Sequence, residues 1–202
     1  MSEARRRTLL NAFLVALFLG FAYSNFLRWQ ETGRPVGLGV VLLEAFTAFL
    51  FLVRRPPQAT SERPLAWITA FLGAFTMLAS RPVAHPDYGP VALLEVLQLV
   101  GFGIAIVALG SLGRSFGVVA ANRGIKTGGL YALVRHPAYS GYFLSYVGYV
   151  AENGSLRNVL LLAAATAAQL VRMSEEELML GRDDGYRAYL ARVRHRLIPH
   201  VY

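Results

Sequence analysis

Cysteine is absent from the sequence, and charged residues are scarce. Among the 202 residues there is no Cys, and Asp, Glu, Lys and Arg together make up only 16%. The lack of cysteine excludes a thiol nucleophile, a thiolate metal site and a disulfide-stapled secreted scaffold. Hydrophobic residues reach 55%, and a mean hydropathy of +0.43 is higher than a soluble globular domain of this size needs. These values exclude a disordered chain and indicate a membrane protein.

Six apolar blocks account for the high hydropathy. A helix needs about 20 apolar residues to cross a hydrocarbon core about 30 Å thick. Four blocks reach or approach that length, namely residues 8–27, 36–53, 64–80 and 91–112. Residues 138–151 and 159–171 form two shorter blocks, which span only with their polar flanks or lie partly inside the fold. The pattern predicts a single all-α domain, 1–202, built as a polytopic membrane bundle of about six transmembrane helices.

The distribution of Lys and Arg predicts how this bundle is oriented. If all six blocks cross, 16 of the 20 basic residues share one side, and the other side holds Arg28, Arg34, Arg81 and Arg157. Because basic loops remain in the cytoplasm, we expect both termini to be cytoplasmic. The first block follows three arginines but is longer than a signal-peptide core, so we expect a retained helix. The count leaves open whether the last two blocks cross completely.

The net charge of +8 does not indicate a nucleic-acid partner. No compact basic domain stands apart from the spans, and basic loops beside apolar helices are typical of contact with anionic membrane lipids. His85, His195 and His200 are isolated in the sequence, and no pair of histidines has the spacing of metal ligands, so we expect no metal site. Arg exceeds Lys and the chain is rich in Ala, Leu and Gly, a composition compatible with a bacterial inner membrane.

Polar residues with catalytic potential flank the last two blocks. Arg135, His136 and Pro137 open the fifth block, and an acidic run, residues 175–177, follows Arg172 at the end of the sixth. Since the short link between the blocks predicts an antiparallel hairpin, both groups fall at the same cytoplasmic end. Packed helix axes lie about 8–10 Å apart, so long side chains from both ends can converge on one polar ligand.

Each of these residues also has a structural interpretation. Arg135 and Arg172 are placed to snorkel at helix ends, and three adjacent acids are often simply solvated. Glu44 lies in the middle of the second block, where a carboxylate is functional, paired with a neighbouring helix, or protonated. Tyr186 and Tyr189 belong to a short amphipathic helix that either lies on the membrane surface or covers the cytoplasmic site where these polar side chains converge.

Several short motifs in the C-terminal half occur together. They are LGRSF at 112–116, GGLYALVRHPAYSGY at 128–142, Arg172 with Glu175 and Glu176, GYRAY at 185–189 and LIP at 197–199. Together they resemble the isoprenylcysteine carboxyl methyltransferase and phospholipid methyltransferase family. The pairing of Arg-His-Pro-x-Tyr-x-Gly at one helix start with Arg-x-x-Glu-Glu after the next helix is specific. Gly129 stands where this family usually has Pro.

The resemblance implies an integral membrane methyltransferase (EC 2.1.1 type) that binds S-adenosylmethionine and releases S-adenosylhomocysteine. Residues 1–112 would form four transmembrane helices, and residues 113–202 would form the cofactor-binding half. By position, the resemblance assigns catalytic roles to Arg172 and Glu176. It assigns cofactor contacts to Lys126, Leu130, Tyr131, Arg135, His136, Pro137, Tyr139, Gly141, Glu175 and Tyr186.

The resemblance also implies a lipophilic acceptor that enters from the bilayer between helices. An isoprenylcysteine-like carboxylate would be held by Arg172, whereas a phospholipid amine or a thiol would give its proton to Glu176. A small-thiol S-methyltransferase and a non-catalytic membrane scaffold of the same fold are alternatives. A transporter is disfavoured, because the sequence has no repeated halves. The acceptor and the oligomeric state stay open.

Overall fold

Seven α-helices dominate the part of the chain that the computed structural model describes, which is residues 2–83, 91–199 and 201. They are α1 (Glu3–Thr32), α2 (Pro35–Val53), α3 (Pro64–Phe75), α4 (Val91–Leu112), α5 (Pro137–Glu152), α6 (Leu156–Leu180) and α7 (Asp184–Arg192). A 3-10 turn, Thr76–Ala79, extends α3. Two-residue strands, β1 (Ala59–Thr60) and β2 (Ala121–Asn122), pair antiparallel. The predicted all-α bundle is confirmed.

Proline and glycine mark where several helices begin and end. Pro35, Pro64 and Pro137 each occupy the first turn of a helix, where the missing N–H would have no partner. Gly33 ends α1 at φ 65, a left-handed conformation that favours glycine. Ser155 begins α6, and its hydroxyl accepts a hydrogen bond from the Asn158 N–H at 3.2 Å.

The apolar surface agrees with a membrane environment. Four helices of the described chain, α1, α2, α4 and α6, are long and apolar enough to cross a bilayer. Large apolar side chains face outward, including Phe13 (62% exposed), Leu52 (66%) and Leu93 (62%). Water would penalise such a surface, whereas lipid tails do not. The chain is therefore an integral membrane protein.

Six helical segments run between two ends of the bundle. The loop end consists of residues 54–63, 113–136 and 193–199, which are joined by the β1–β2 pair and by hydrogen bonds such as Arg55 N to Arg114 O at 2.8 Å. At the far end, Arg34 pairs with Glu95 and Glu152. Arg81 and Arg157 lie at this far end too, bonded to Asn158 and Ala79. The two-sided grouping of basic residues predicted from sequence thus has a structural counterpart.

The last two helices differ from the predicted short hairpin. α6 contains 25 residues and continues to Leu180, so the expected end near residue 171 is wrong. The acidic run lies inside this helix, where each carboxylate pairs with a basic side chain instead of ending the helix in solvent. α5 packs mainly against α4, and α6 mainly against α3. The two helices are still antiparallel neighbours in the chain with their polar ends at the loop end.

Small residues allow α4 and α5 to approach closely. A Cβ atom added to Gly141 would lie 2.6 Å from the backbone N of Ala105. Backbone atoms cannot move aside as a flexible side chain can, so the helices could not stay at this distance. Gly103, also on α4, has no atom within 4 Å of such a Cβ.

We expect Gly141→Ala to destabilise the protein by about 1–3 kcal/mol, because the added methyl group separates two packed helices. Thermal unfolding in detergent measures the effect. Gly103→Ala is the matched control and should leave the melting temperature unchanged or raise it, since alanine favours the helix. Equal melting temperatures for the two variants would contradict the proposed close packing.

Candidate functional site

A long internal cavity connects the two ends of the bundle. Its volume is about 760 Å³, within the range of about 300–1,000 Å³ typical of cofactor and small-molecule sites. It extends from Arg34 and Glu152 at the far end to Lys126 and Tyr186 at the loop end. Helices α1, α2, α4, α5 and α6 contribute to its walls, and α7 contributes at the loop end.

Glu176 is the central carboxylate of the cavity. It projects from α6 and accepts a hydrogen bond of 2.6 Å from the Tyr139 hydroxyl of α5. Arg172, one helical turn earlier, places its Nε 3.3 Å from the same oxygen. His136 Nδ1 lies 3.8 Å from the other oxygen of Glu176. A phenol, a guanidinium and an imidazole therefore surround one carboxylate that faces the cavity.

Arg172 is buried, with 8% of its surface exposed. Its guanidinium carbon lies 5.2 Å from the centre of the Tyr139 ring, and Nη1 donates a long hydrogen bond of 3.5 Å to Gln169. Gln169 in turn donates to the backbone O of Gly73 on α3 at 3.1 Å. These contacts fix the guanidinium beside Glu176, and its Nε keeps no well-oriented hydrogen bond of its own.

Glu177, the next residue on α6, faces away from the cavity and binds the tail, which is the segment after α7, residues 193–199. One oxygen lies 3.0 Å from His136 Nε2, and the other accepts a bond of 2.6 Å from Arg196. Arg135 approaches within 3.4 Å. Glu177 was not predicted from sequence as a site residue, and its place as the third acid of the run was the only signal.

The predicted site residues fall into two groups. The structure brings eight of them to the cavity wall: Lys126, Tyr131, Arg135, His136, Tyr139, Arg172, Glu176 and Tyr186. Four others, Leu130, Pro137, Gly141 and Glu175, do not line it. Leu130 packs against the apolar cluster around Phe51, Pro137 opens α5, and Gly141 contacts α4. Glu175 points to the α3 side, where Arg63 Nε lies 3.0 Å away. Cofactor contact by these four stays a prediction without support from this geometry.

The short helix α7 covers the loop end of the cavity. Asp183 caps it by accepting a hydrogen bond from the Gly185 N–H at 2.9 Å, and it also accepts one from Asn122 of β2 at 3.1 Å. Tyr186 and Tyr189 line the cavity, and the Tyr189 hydroxyl donates to the backbone O of Tyr131 at 2.7 Å. Burial raises the pKa of Tyr189 to about 12. Of the two placements considered for this helix, the structure has the covering one.

The residues after α7 pack along the start of α5. The backbone N–H groups of Arg135 and His136 donate to the carbonyls of His195 and Arg196, at 2.9 and 2.8 Å. The Ser140 hydroxyl donates to the Leu197 carbonyl at 2.7 Å. Because Arg135 and His136 precede the first helical residue of α5, Pro137, their backbone N–H groups have no helical partner and can pair with the tail. The motifs at 135–137 and 197–199 thus form one structural unit.

Several cavity residues were not identified from sequence. Tyr142, Tyr146 and Tyr149 continue the Tyr139 face of α5 toward the far end, with spacings of three and four residues that place them on one side. Arg123, in the loop before α5, also lines the cavity. The tyrosine spacing was a usable signal, whereas nothing in the sequence singled out Arg123 from the other loop arginines.

Glu44 has a partner on the neighbouring helix. Asn25 of α1 donates from its amide nitrogen to both carboxylate oxygens, at 3.1 and 3.3 Å. Both residues line the cavity, Glu44 near the middle of α2 and Asn25 in the last third of α1. The predicted partner on a neighbouring helix is therefore present, and it is Asn25.

No cluster of three or more His, Asp or Glu side chains is arranged to hold a metal ion among the described residues. His85 and His200 lie outside the described residues. Gly129, at φ 61, adopts a conformation that proline cannot, so the turn before Tyr131 is built differently from a Gly-Pro-Tyr turn.

Comparison with known proteins gives a family match over part of the chain. Residues 91–182 match the phospholipid methyltransferase family. The matched region is somewhat less than half of the chain, and it runs from the start of α4 to just beyond α6. It includes His136, Tyr139, Arg172 and Glu176. The match confirms the family resemblance noted in the sequence, and it supports a membrane methyltransferase. No curated protein matches the chain.

We expect Glu177→Gln to loosen the tail and to leave Glu176, the carboxylate that faces the cavity, in place. Removing a largely buried charge leaves Arg196 and His136 poorly paired, at a cost of about 1–3 kcal/mol. Limited proteolysis of the detergent-solubilised protein, followed by mass spectrometry, should show faster cleavage after residue 192. Asp184→Asn removes an exposed ion pair with Arg187 in the same region and should leave cleavage unchanged. Equal cleavage rates for both variants would refute the tethering role of Glu177.

Proposed function

Starting from the phospholipid methyltransferase match of residues 91–182, we propose that this protein transfers a methyl group from S-adenosylmethionine to a lipophilic acceptor. S-adenosylhomocysteine is the second product. The observation that carries the proposal is the Glu176 cluster, in which His136, Tyr139 and Arg172 surround Glu176. This cluster lies at the loop end of a cavity whose remaining walls are largely apolar.

The residues at the loop end fit the chemistry of the cofactor. Five tyrosines line this part of the cavity: Tyr131, Tyr139, Tyr142, Tyr186 and Tyr189. Aromatic faces attract cations, and a sulfonium is a cation. Arg135 and Arg172 each have a buried Nε without a well-oriented acceptor, which suits the carboxylate of an amino acid moiety. Lys126 and His136 complete a predominantly polar wall.

When bound, S-adenosylmethionine supplies an electrophilic methyl group, and the protein has to position the acceptor in line with it. Such a displacement needs orientation and a dry site more than a strong catalyst. Tyr186 and Tyr189 of α7 exclude water from the loop end. Arg172 and Tyr139 hold Glu176 in one orientation, from which its free oxygen accepts the proton of an amine or thiol acceptor. For a carboxylate acceptor, Arg172 is the side chain that would orient it.

The rest of the cavity favours an acceptor with a long apolar part. Beyond the polar cluster, the cavity is lined by apolar side chains of α1 and α2 as well as by the tyrosines of α5: Phe18, Phe21, Val40 and Leu43. A small thiol would use only a fraction of this volume. A non-catalytic scaffold would have no use for buried ion pairs, because desolvating charges costs free energy that packed apolar residues do not. Both alternatives are therefore less well supported.

We further propose that the loop end faces the cytoplasm, as in a bacterial inner-membrane protein. Most of the Lys and Arg residues lie in the N-terminal segment, the loop-end segments and the tail, as the positive-inside rule predicts for cytoplasmic segments. This orientation gives the cofactor site access to cytoplasmic S-adenosylmethionine, while the acceptor reaches the cavity from the bilayer.

We expect Glu176→Gln to lower methyl transfer by about 10²-fold or more, since proton acceptance by a positioned carboxylate contributes about 10²–10⁴-fold. Transfer of radiolabelled methyl groups is measured to phosphatidylethanolamine, a prenylated cysteine and a long-chain thiol in turn. Binding of S-adenosylhomocysteine, measured by calorimetry, should stay within a few-fold of wild type.

Glu62→Gln is the matched control, because Glu62 is an exposed carboxylate at the same end of the bundle. It should leave both transfer and binding unchanged. Full activity of Glu176→Gln with every acceptor that wild type methylates would remove Glu176 from the reaction.

A further inference from the structure

Arg123 is held at the cavity wall by its own loop. Its backbone O accepts a hydrogen bond of 3.0 Å from the Ser115 hydroxyl, and β2 immediately precedes it. The guanidinium lies against Gly117, where an added Cβ would be 2.9 Å from the guanidinium carbon. The absence of a side chain at residue 117 therefore makes room for this group. Arg123 lines the same cavity as Glu176.

The charge of Arg123 has no partner within the described chain. Its Nε is buried without an acceptor, and no hydrogen bond or ion pair reaches the guanidinium from any described residue. The other arginines at this end differ, since Arg63, Arg135, Arg172 and Arg196 each lie within 4 Å of a glutamate. Arg123 is the cavity-lining arginine of the loop end that lacks such a contact.

The surroundings make this unpaired charge more unfavourable. Burial lowers the pKa of Arg123, and only the more distant charge of Glu176 opposes that effect. Burial also lowers the pKa of Arg54 to about 10, and the positive charges of Arg123 and Arg7 add to the effect. A guanidinium that is partly desolvated and beside another cation destabilises the folded protein unless an anion joins it. Exceptions of this kind to normal charge pairing are expected at functional sites.

We propose that Arg123 binds the anionic group, carboxylate or phosphate, of a ligand in the cavity. The inference rests on the proposed function, which supplies two possible sources: the carboxylate of S-adenosylmethionine and the anionic head of the lipophilic acceptor. The planar guanidinium forms two parallel hydrogen bonds with either group. Arg123 would act beside Arg135 and Arg172, whose charges Glu177 and Glu176 already compensate in part.

The first arm of the test asks whether the anion belongs to the cofactor. Calorimetry compares S-adenosylmethionine with its decarboxylated analogue on wild type, Arg123→Gln, Arg123→Lys and the control Arg55→Gln, which removes an exposed charge at the same end. For a cofactor anion, wild type should bind the analogue about tenfold or more weakly, and Arg123→Gln should bind both alike. Arg123→Lys should retain part of the difference, and Arg55→Gln all of it.

The second arm asks whether the anion belongs to the acceptor. Trp29 lines the cavity and is one of two tryptophans, so Trp67→Phe leaves it as the only fluorophore of its kind. In that background, quenching by ω-bromohexadecanoic acid is compared with quenching by ω-bromohexadecanol. For an acceptor anion, Arg123→Gln should weaken binding of the acid about tenfold or more and leave binding of the alcohol unchanged.

The proposal is supported if Arg123→Gln loses the preference for S-adenosylmethionine over its decarboxylated analogue or the preference for the acid over the alcohol, and the preference that is lost identifies the source of the anion. If a folded Arg123→Gln protein keeps both preferences, the proposal is overturned. The melting temperature without ligand adds a further check, because removing an unpaired charge should leave it unchanged or raise it. A lower melting temperature with both discriminations intact would assign Arg123 a structural role instead. If wild type binds no S-adenosylmethionine, the proposed function fails, yet the second arm still tests Arg123.

Discussion

Three consecutive glutamates on α6 hold three parts of the molecule together, and the site depends on this arrangement. Successive residues of an α-helix point about 100° apart. Glu175 therefore pairs with Arg63 before α3, Glu176 with Arg172 and Tyr139 in the cavity, and Glu177 with Arg196 of the tail. Each carboxylate loses hydration on burial, and a cation or a hydroxyl donor compensates for that loss. Because one helix turn makes all three contacts, the cavity, the tail and the α3 side keep fixed positions relative to each other.

The same arrangement gives the three carboxylates different roles. Of the three, only Glu176 faces the cavity with an oxygen available to a ligand, whereas Glu175 and Glu177 are paired with structural partners. Beyond Glu176 the cavity continues along the tyrosine face of α5 and past the Asn25–Glu44 pair toward the far end. A polar site at one end and a mostly apolar extension are the features that a cytoplasmic cofactor and a membrane-derived acceptor would each require.

Much of this organisation could be predicted from the sequence, and the failures have physical reasons. The positions of the six helical segments and of Pro137 followed from hydropathy and from the preference of proline for a first helical turn. The end of α6 could not be predicted in this way, because an apolar block ends at its last apolar residue. The helix continues beyond that residue, where its glutamates form ion pairs with residues distant in the sequence. Leu130, Gly141 and Glu175 belong to the right segments but face neighbouring helices or loops, and direction within a segment depends on packing. Arg123 could not be found, since an unpaired charge is recognisable only when its surroundings are known.

Hydrogen–deuterium exchange of the detergent-solubilised protein, with and without S-adenosylhomocysteine, tests most directly whether the Glu176 cluster forms a cofactor site. We predict slower amide exchange in the loop before α5, at the start of α5, at the end of α6 and in α7, with α1 and α2 unchanged. Slower exchange confined to other segments, or no change at saturating ligand in folded protein, would contradict a methyltransferase site formed by the Glu176 cluster.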